Sequence, residues 1–498
     1  MAATSLFGSV VNSIITDSFT QALSAERRKE LEDIGKAWDF YYGFQEQYIK
    51  RYRGEKIEDY IDKDKPTFNY TKAIIDEYVN GVFGKPVVFD FAEKPYQKVW
   101  DSIFTPYTFQ KILPFFMKTQ RVAEVSKTCL VMIRWNKEEQ RTYFEDVRGE
   151  FVHFLPKPDN PKEIGTVIIS YLFDTGNPDP EKKIMKRVEA WNSELWEIWL
   201  HNPALGEQRL MASGENPYGF IPGEIFVPQE DDNTFYGLSN IDDIVKVNEV
   251  YNNLWVALVQ ICVMQSFSIL FVKSEGDIQF TISPKKFLKL PQTLEAEAEY
   301  LTPNPKIEEV EAVLVNLKNE LQNISRVPSE VMSSAKGITP ESGYALRIKR
   351  IPIEEEWEKR RMSYGPSVKN LAKKAVVVDT YQRSASIVPM ENIHLAVDFT
   401  DTTPPLAPQE QILTDEQHMR YNLITPVDLA MRSDPTLTRE EARIKIERNR
   451  KEMEELGFKQ FGEDNETEFE RLKVRMGRKN AGIMKSLSGS GAPEGLGD

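Results

Sequence analysis

The sequence predicts an α+β fold in which a largely antiparallel β unit gives way to long helices, and three observations predict it. Between residues 128 and 226 the short apolar runs TCLVMIRW, YFEDV, VHFLP, IGTVIISYLF, VEAWN and LWEIWL are mostly separated by turn residues, the pattern of a mixed unit with a substantially antiparallel sheet. Two later segments carry apolar residues at three- and four-residue steps: Ile241, Ile244, Val245, Tyr251, Leu254, Trp255, Leu258 and Cys262, then Ile307, Val310, Leu314, Leu317, Leu321 and Ile324. A third helical stretch runs from about 341 to 385 and contains Pro352 and Gly365-Pro366, which delete helix hydrogen bonds and predict a bend.

Taken in order, Phe7, Val10, Val11, Ile14, Ile15, Phe19 and Leu23 make residues 5–23 an amphipathic helix. Its polar face lacks Lys and Arg, which favours docking on a protein surface over a membrane. A second helix, near 25–52, is charged early and aromatic late (Trp38, Tyr41, Tyr42, Phe44, Tyr48, Tyr52), and the aromatic group reads as core. PTFNYTKAIIDEYVNGVFGKPVVFDF, at 66–91, reads as a helix closed by Gly81 and Gly84 and followed by a strand after Pro86. Its Gly-Lys pair is not a phosphate loop, because Lys85 is followed by Pro86 and the order is helix to strand.

Ser239-Asn240-Ile241-Asp242 resembles a capping box at the start of a helix that runs to about Gln265, a rod of roughly 40 Å. SFSILFV and DIQFTI read as short strands, the stretch to Pro305 as loop, and 307–325 as the returning helix. The two helices and the β insertion between them form an antiparallel pair with a cap. SRVPSEVMSSAKGITPESG is small and polar, a loop by composition. Ile393, Leu395, Val397 and Phe399 alternate as one half-buried strand before TTPPLAP breaks the chain. Residues 408–456 return to helix, with caps at Thr425-Pro426 and Thr438, and the Gly/Ser/Pro-rich end is expected to be partly disordered.

With 498 residues the chain suits about three structural units at roughly 150 residues each. Cys129 and Cys262 are far apart in apolar runs, so no disulfide framework or CxxC site follows. The N-terminus lacks the basic flank and continuous apolar run of a signal peptide, and no window reaches the ~20 apolar residues of a membrane span. A soluble chain of the reduced cytosol, not exported by that route, is expected. His153, His201, His394 and His418 show no metal-ligand spacing, and no nucleophile elbow, HExxH, GxGxxG or kinase signature is present. The expectation is therefore no catalytic residues, no metal and no cofactor. A net charge of −14 opposes general phosphate attraction, so any DNA contact must be local.

Three segments carry a resemblance: NYTKAIIDEYVNGVFGKPVVF at 69–89, NPYGFIPGEIF at 216–226 running on to YGLSNIDDIVKVNEVYN at 236–252, and TPESGYALRIK at 339–349. In order and spacing, over roughly 26–450, they resemble the SPP1-type portal family of tailed bacteriophages. The resemblance implies a portal fold: a mixed α/β wing at 26–238, rejoined by a kinked helix and strand at 344–403; stem helices at 239–265 and 307–327; a small α/β clip at 266–306; a tunnel loop at 328–343; and a helical crown at 404–460. The segments 1–25 and 461–498 fall outside it.

The resemblance further implies a ring of probably twelve copies at one capsid vertex, through which double-stranded DNA is packaged and ejected. Partners would be the terminase large subunit, which hydrolyses the ATP, the head completion (adaptor) protein, and the major capsid and scaffolding proteins. The location would be the virion, and the host cytoplasm during assembly, with no membrane contact. Met332, Ser333, Ser334, Ala335, Lys336, Gly337, Ile338 and Thr339 would line the channel, and Lys336, the lone cation of the loop, either brushes phosphates or is a solvated loop lysine. Arg471, Lys473, Arg475, Arg478 and Lys479 form a basic run that is either a DNA contact or a solvated helix face. Leu254, Leu258, Leu314, Leu317 and Leu321 would pack the stem. The competing readings are an interaction protein that forms no channel, and a metal-independent hydrolase whose site is assembled from scattered residues that no motif marks.

Overall fold

The computed structural model describes residue 14 and residues 25–52, 55–104, 111–265, 269–273, 297–301, 307–328, 343–400, 415–421, 423–434 and 437–455. They fall into two compact units, 1–404 and 405–498. Helix and antiparallel sheet are segregated in the first, an α+β arrangement.

The helical half of the first unit begins with α1 (Ala25–Tyr42). This helix is shorter than its sequence suggests, because Gly43 turns the chain at φ 89°. Trp38 and Tyr41 are core, whereas Tyr42 and Phe44 are exposed, so only part of the aromatic group is buried. After a short α2 (Ile57–Asp62), α3 (Tyr70–Phe83) starts at Asn69, whose side chain accepts from the Lys72 amide at 2.9 Å. Gly81 does not close α3. It lies inside the helix under Trp357, where a Cβ would fall 1.9 Å from the indole, so the glycine permits a close approach.

Beyond Gly84 comes β1 (Val87–Phe91), then α4 (Lys94–Ile103) and α5 (Ile112–Ser126). β1 pairs antiparallel with β12 (Leu395–Phe399), the strand read from alternation at the far end of the unit. Between them α8 (Gly343–Ser384) runs as one helix that includes both Pro352 and Pro366. Its residues Ile353, Trp357, Tyr364, Val368, Leu371 and Ala375 recur at steps of three, four or seven residues, one face of the helix, and are buried in the main core.

All six apolar runs between 128 and 226 are strands: β2 (Cys129–Asn136), β3 (Arg141–Arg148), β4 (Val152–Pro156), β5 (Ile164–Asp174), β6 (Ile184–Trp191) and β7 (Leu195–Asn202). Two more were not read: β8 (Glu207–Glu215) and β9 (Gly223–Phe226). β8 is an edge strand of mostly exposed side chains, so no buried alternation marks it. One sheet has order β3-β2-β9 and the other β4-β5-β6-β7-β8, every pairing antiparallel. Leu130, Met132 and Val147 of the first meet Val152, Phe154, Val167 and Ile169 of the second. Arg134 of β2 crosses between the sheets to buried Glu189 of β6 at 2.7 Å.

From this body extend α6 (Ile241–Gln265) and α7 (Ile307–Ser325), joined through the hairpin β10 (Ile269–Lys273) and β11 (Glu297–Leu301). β11 occupies a stretch read as loop, whereas DIQFTI lies outside the described residues. The expected capping box is not formed. Ser239 Oγ accepts from the Ile241 amide and donates to the Glu124 carbonyl, while Asp242 pairs with Lys127 at 2.8 Å.

The second unit holds α9 (Pro426–Ser433) and α10 (Arg439–Glu455). Thr425 and Asp428 form a reciprocal capping box, and Thr438 and Glu441 repeat it before α10. Ala442 of α10 is buried, and Arg432 pairs with Asp415 at 3.0 Å.

Candidate interaction site: the paired helices

Three asparagines root the helix pair in the body. Asn248 Oδ1 accepts from the Thr71 amide at 3.1 Å and the Thr71 hydroxyl at 3.0 Å, and its Nδ2 donates to the Phe68 carbonyl. Asn252, one turn on, accepts from the Phe68 amide and donates to Gln45 Oε1 at 2.6 Å. Asn253 accepts from the Lys50 amide at 2.7 Å. Asn248 and Asn252 are fully buried, and these bonds replace those they would make to water. Glu249, between them, holds Lys36 at 2.5 Å and Lys50 at 3.3 Å, and these lysines keep its carboxyl below the usual range despite partial burial, which raises it. The returning helix is tied in by Tyr78, whose hydroxyl donates to the Ser325 carbonyl at 2.7 Å.

Farther along the pair the contacts become apolar. Tyr251, Leu258 and Leu314 are buried together, with Tyr70, Leu254, Trp255, Ile307, Val310 and Leu317 packed around them. Of the five leucines singled out from sequence, Leu258 and Leu314 thus sit between the two helices, Leu254 and Leu317 lie at the edge of that cluster, and Leu321 belongs to the main core. The pair does not exhaust its apolar surface: Val263 is 54% and Val315 58% exposed, and Val250 and Val313 are exposed with them. A shallow groove is lined by Trp255, Leu258, Val259, Cys262, Val263 and Glu311. The helix pair thus leaves apolar side chains of both helices exposed, Val250 and Val263 on α6 and Val313 and Val315 on α7.

The body beneath the pair is locked by one buried charge cluster. Arg360 of α8 donates to Glu124 of α5 at 2.7 Å and to Glu356 at 2.9 Å, with its guanidinium 3.8 Å over the Tyr78 ring. Burial alone would lower the Arg360 pKa, and the Glu124 carboxylate more than offsets it. Tyr364 donates to the same Glu124 at 3.3 Å. Neither this cluster nor the asparagine ladder was singled out from sequence. The signal for the ladder was there: Asn248 and Asn252, four residues apart, follow the buried stripe.

Met332 to Thr339 and the run Arg471, Lys473, Arg475, Arg478 and Lys479 lie outside the described residues, the first between the end of α7 and the start of α8. Of the histidines, His153 and His201 are on strands β4 and β7, and His394 contacts Glu93 at 3.1 Å. Among the described residues no three His, Cys, Asp or Glu side chains cluster as a metal site, and no helix is long and apolar enough to cross a membrane. Neither cysteine is in a disulfide, Cys129 being buried and Cys262 exposed.

No family model matches the chain, and no curated protein matches it. Among solved structures, it is similar to a chain in the virion of a native gene transfer agent particle, with TM-score 0.36 and 12% identity over 70% of this chain and 84% of that one. A chain in the neck of an empty gene transfer agent particle, computed with C6 symmetry, gives TM-score 0.37 and 14% identity over 70% and 84%. A chain in the neck of the native particle, computed with C12 symmetry, gives 0.34 and 13% over 72% and 87%.

Proposed function

We propose that this chain is a portal-type subunit of a tailed phage or phage-like particle, a ring-forming conduit for double-stranded DNA without catalytic activity of its own. The observation that carries the reading is the helix pair α6 and α7, rooted by Asn248, Asn252 and Asn253 and still presenting Val250, Val263, Val313 and Val315 to solvent. Neighbouring copies packed through such faces close a ring, and the pairs then serve as its stem. The three matched segments support the same reading, since they contribute α3, the approach to α6, and the start of α8.

In this reading the hairpin end of the stem docks the terminase large subunit and later the head completion protein, and the body meets the capsid and scaffolding proteins. The ring numbers about twelve copies and takes its place in the virion after assembly in the host cytoplasm. The acidic chain, at −14 per copy, lets DNA pass without gripping it. Contact is then confined to residues 332–339 around Lys336 and to the basic run at 471–479.

Electron microscopy of the purified chain tests this: end-on rings with a central hole are expected. A monodisperse monomer under all conditions would instead support an interaction protein that uses the same helix pair without forming a channel. Deleting residues 332–342 should leave rings nearly intact and impair DNA packaging. Loss of assembly with no specific packaging defect would remove that loop from the channel.

A further inference from the structure

Two residues of the body each hold two other elements at once. The Glu124 backbone carbonyl, in α5, accepts from the Ser239 hydroxyl at the start of α6 at 2.8 Å, while the Glu124 carboxylate accepts from Arg360 of α8 at 2.7 Å. Tyr78 of α3 donates its hydroxyl to the Ser325 carbonyl at the end of α7 at 2.7 Å, and the Arg360 guanidinium lies 3.8 Å over its ring. Both roots of the helix pair and the middle of α8 therefore meet at one place, although Ser239, Ser325 and Arg360 are scattered along the sequence.

Gln120 closes the junction, its amide donating to the Tyr78 carbonyl at 3.2 Å and to the Glu124 carboxylate at 3.3 Å. Asn240 donates to the Ile324 carbonyl at 3.4 Å and ties the two roots to each other. Tyr78 and Glu124 are 1% exposed, Arg360 4%, and Gln120 and Ser325 0%. A polar group freed in such a place finds no water to replace its partner, so opening one bond while the others stay shut is costly. Contiguous networks of this kind open together, as one unit of the chain.

We propose that the first turns of α6, the last turns of α7 and the middle of α8 form one cooperative unit pinned by Tyr78, Glu124 and Arg360, so that α8 sets the angle at which the helix pair leaves the body. Its use in a stem rests on the ring reading above: a displacement of the stem is then a displacement of α8 as well.

Hydrogen exchange of the full-length chain, followed by mass spectrometry over residues 241–250, 318–325 and 356–364, tests the unit. Tyr78→Phe removes only the hydroxyl that holds α7, and Ser239→Ala only the one that ties α6; neither hydroxyl touches α8. Each variant is expected to speed exchange ~10-fold, the effect of about one lost buried hydrogen bond, in all three segments alike. Acceleration confined to 318–325 in the first variant and to 241–250 in the second overturns the unit. Ile169→Val, in the five-stranded sheet, must leave the three segments unchanged. If it speeds them in step, they open only when the whole chain unfolds, and the unit is again overturned. Electron micrographs of the same samples read the ring separately: segments that exchange in step in a chain without rings keep the unit and remove only its use in a stem.

Discussion

Glu124 and Arg360, 236 residues apart in sequence, meet as a buried ion pair at 2.7 Å. This contact fixes the long helix α8 against α5 beneath the root of the paired helices. Removing one partner leaves the other charge buried without its counter-ion, which typically costs ~3–5 kcal/mol. Arg360→Met and Glu124→Leu are each expected to destabilise the chain by about that amount in urea unfolding. The double variant should be far closer to the parent than the sum, because an apolar pair of similar volume carries no desolvation cost. Additive losses would show that the two side chains act separately.

This pair also marks what the sequence could and could not disclose. Helices α6 and α7 were legible because their apolar residues repeat at three and four steps over 25 and 19 residues. The strands β2 to β7 were legible because apolar β-branched and aromatic residues lie between turns. β8 was not, having little to bury, and β11 was hidden in a charged run, EAEYL, whose pairing with β10 is set by the hairpin. Glu124 looked like any of 77 acidic residues until the tertiary fold put Arg360 beside it. The candidate site was half legible: the stem leucines follow from periodicity, but the asparagine ladder depends on Gln45, Phe68 and Thr71 being brought against α6.

Gly81 carries a second consequence of that packing. Its Cβ would overlap the Trp357 indole at 1.9 Å, and the ring is itself buried in the core. Gly81→Ala therefore trades a gain in helix propensity of ~1 kcal/mol for an overpacking cost of ~1–3 kcal/mol or more. A net loss of thermal stability is expected, and pairing the substitution with Trp357→Leu should recover part of it. A more stable Gly81→Ala chain would show that α3 and α8 can separate freely.

His153 sets a pH dependence on the face of the five-stranded sheet that carries Ile168 and Ala190. Burial, aided by the positive charges of Arg27 and Lys186, lowers its pKa to about 4. Glu197 and His201 lie on the same face. Since the unfolded side chain titrates near 6.5, the unfolded state binds the extra proton first as pH falls. Stability from this residue is complete above ~6.5 and is lost as pH drops toward 4, by at most about 3 kcal/mol. Urea midpoints measured from pH 7.5 to 4.5 should fall less steeply for His153→Gln than for the parent. Identical slopes would mean that the imidazole is not desolvated in the folded chain.

The two faces of the helix pair separate folding from assembly. Leu314 is buried against Tyr251 and Leu258 within one chain, whereas Val315, the next residue, is 58% exposed. An aspartate at 314 places an unpaired carboxylate among apolar side chains, at a cost of several kcal/mol, so Leu314→Asp should lower the melting temperature of the isolated chain. At 315 the same carboxylate stays in water, and Val315→Asp should leave the monomer's melting temperature nearly unchanged. If copies pack through the exposed valines, Val315→Asp must nevertheless abolish rings, because each copy would then bury that charge at its junction. Melting curves and end-on micrographs of the two variants read the two effects independently. Normal rings from folded Val315→Asp would move the subunit contact away from this face of α7.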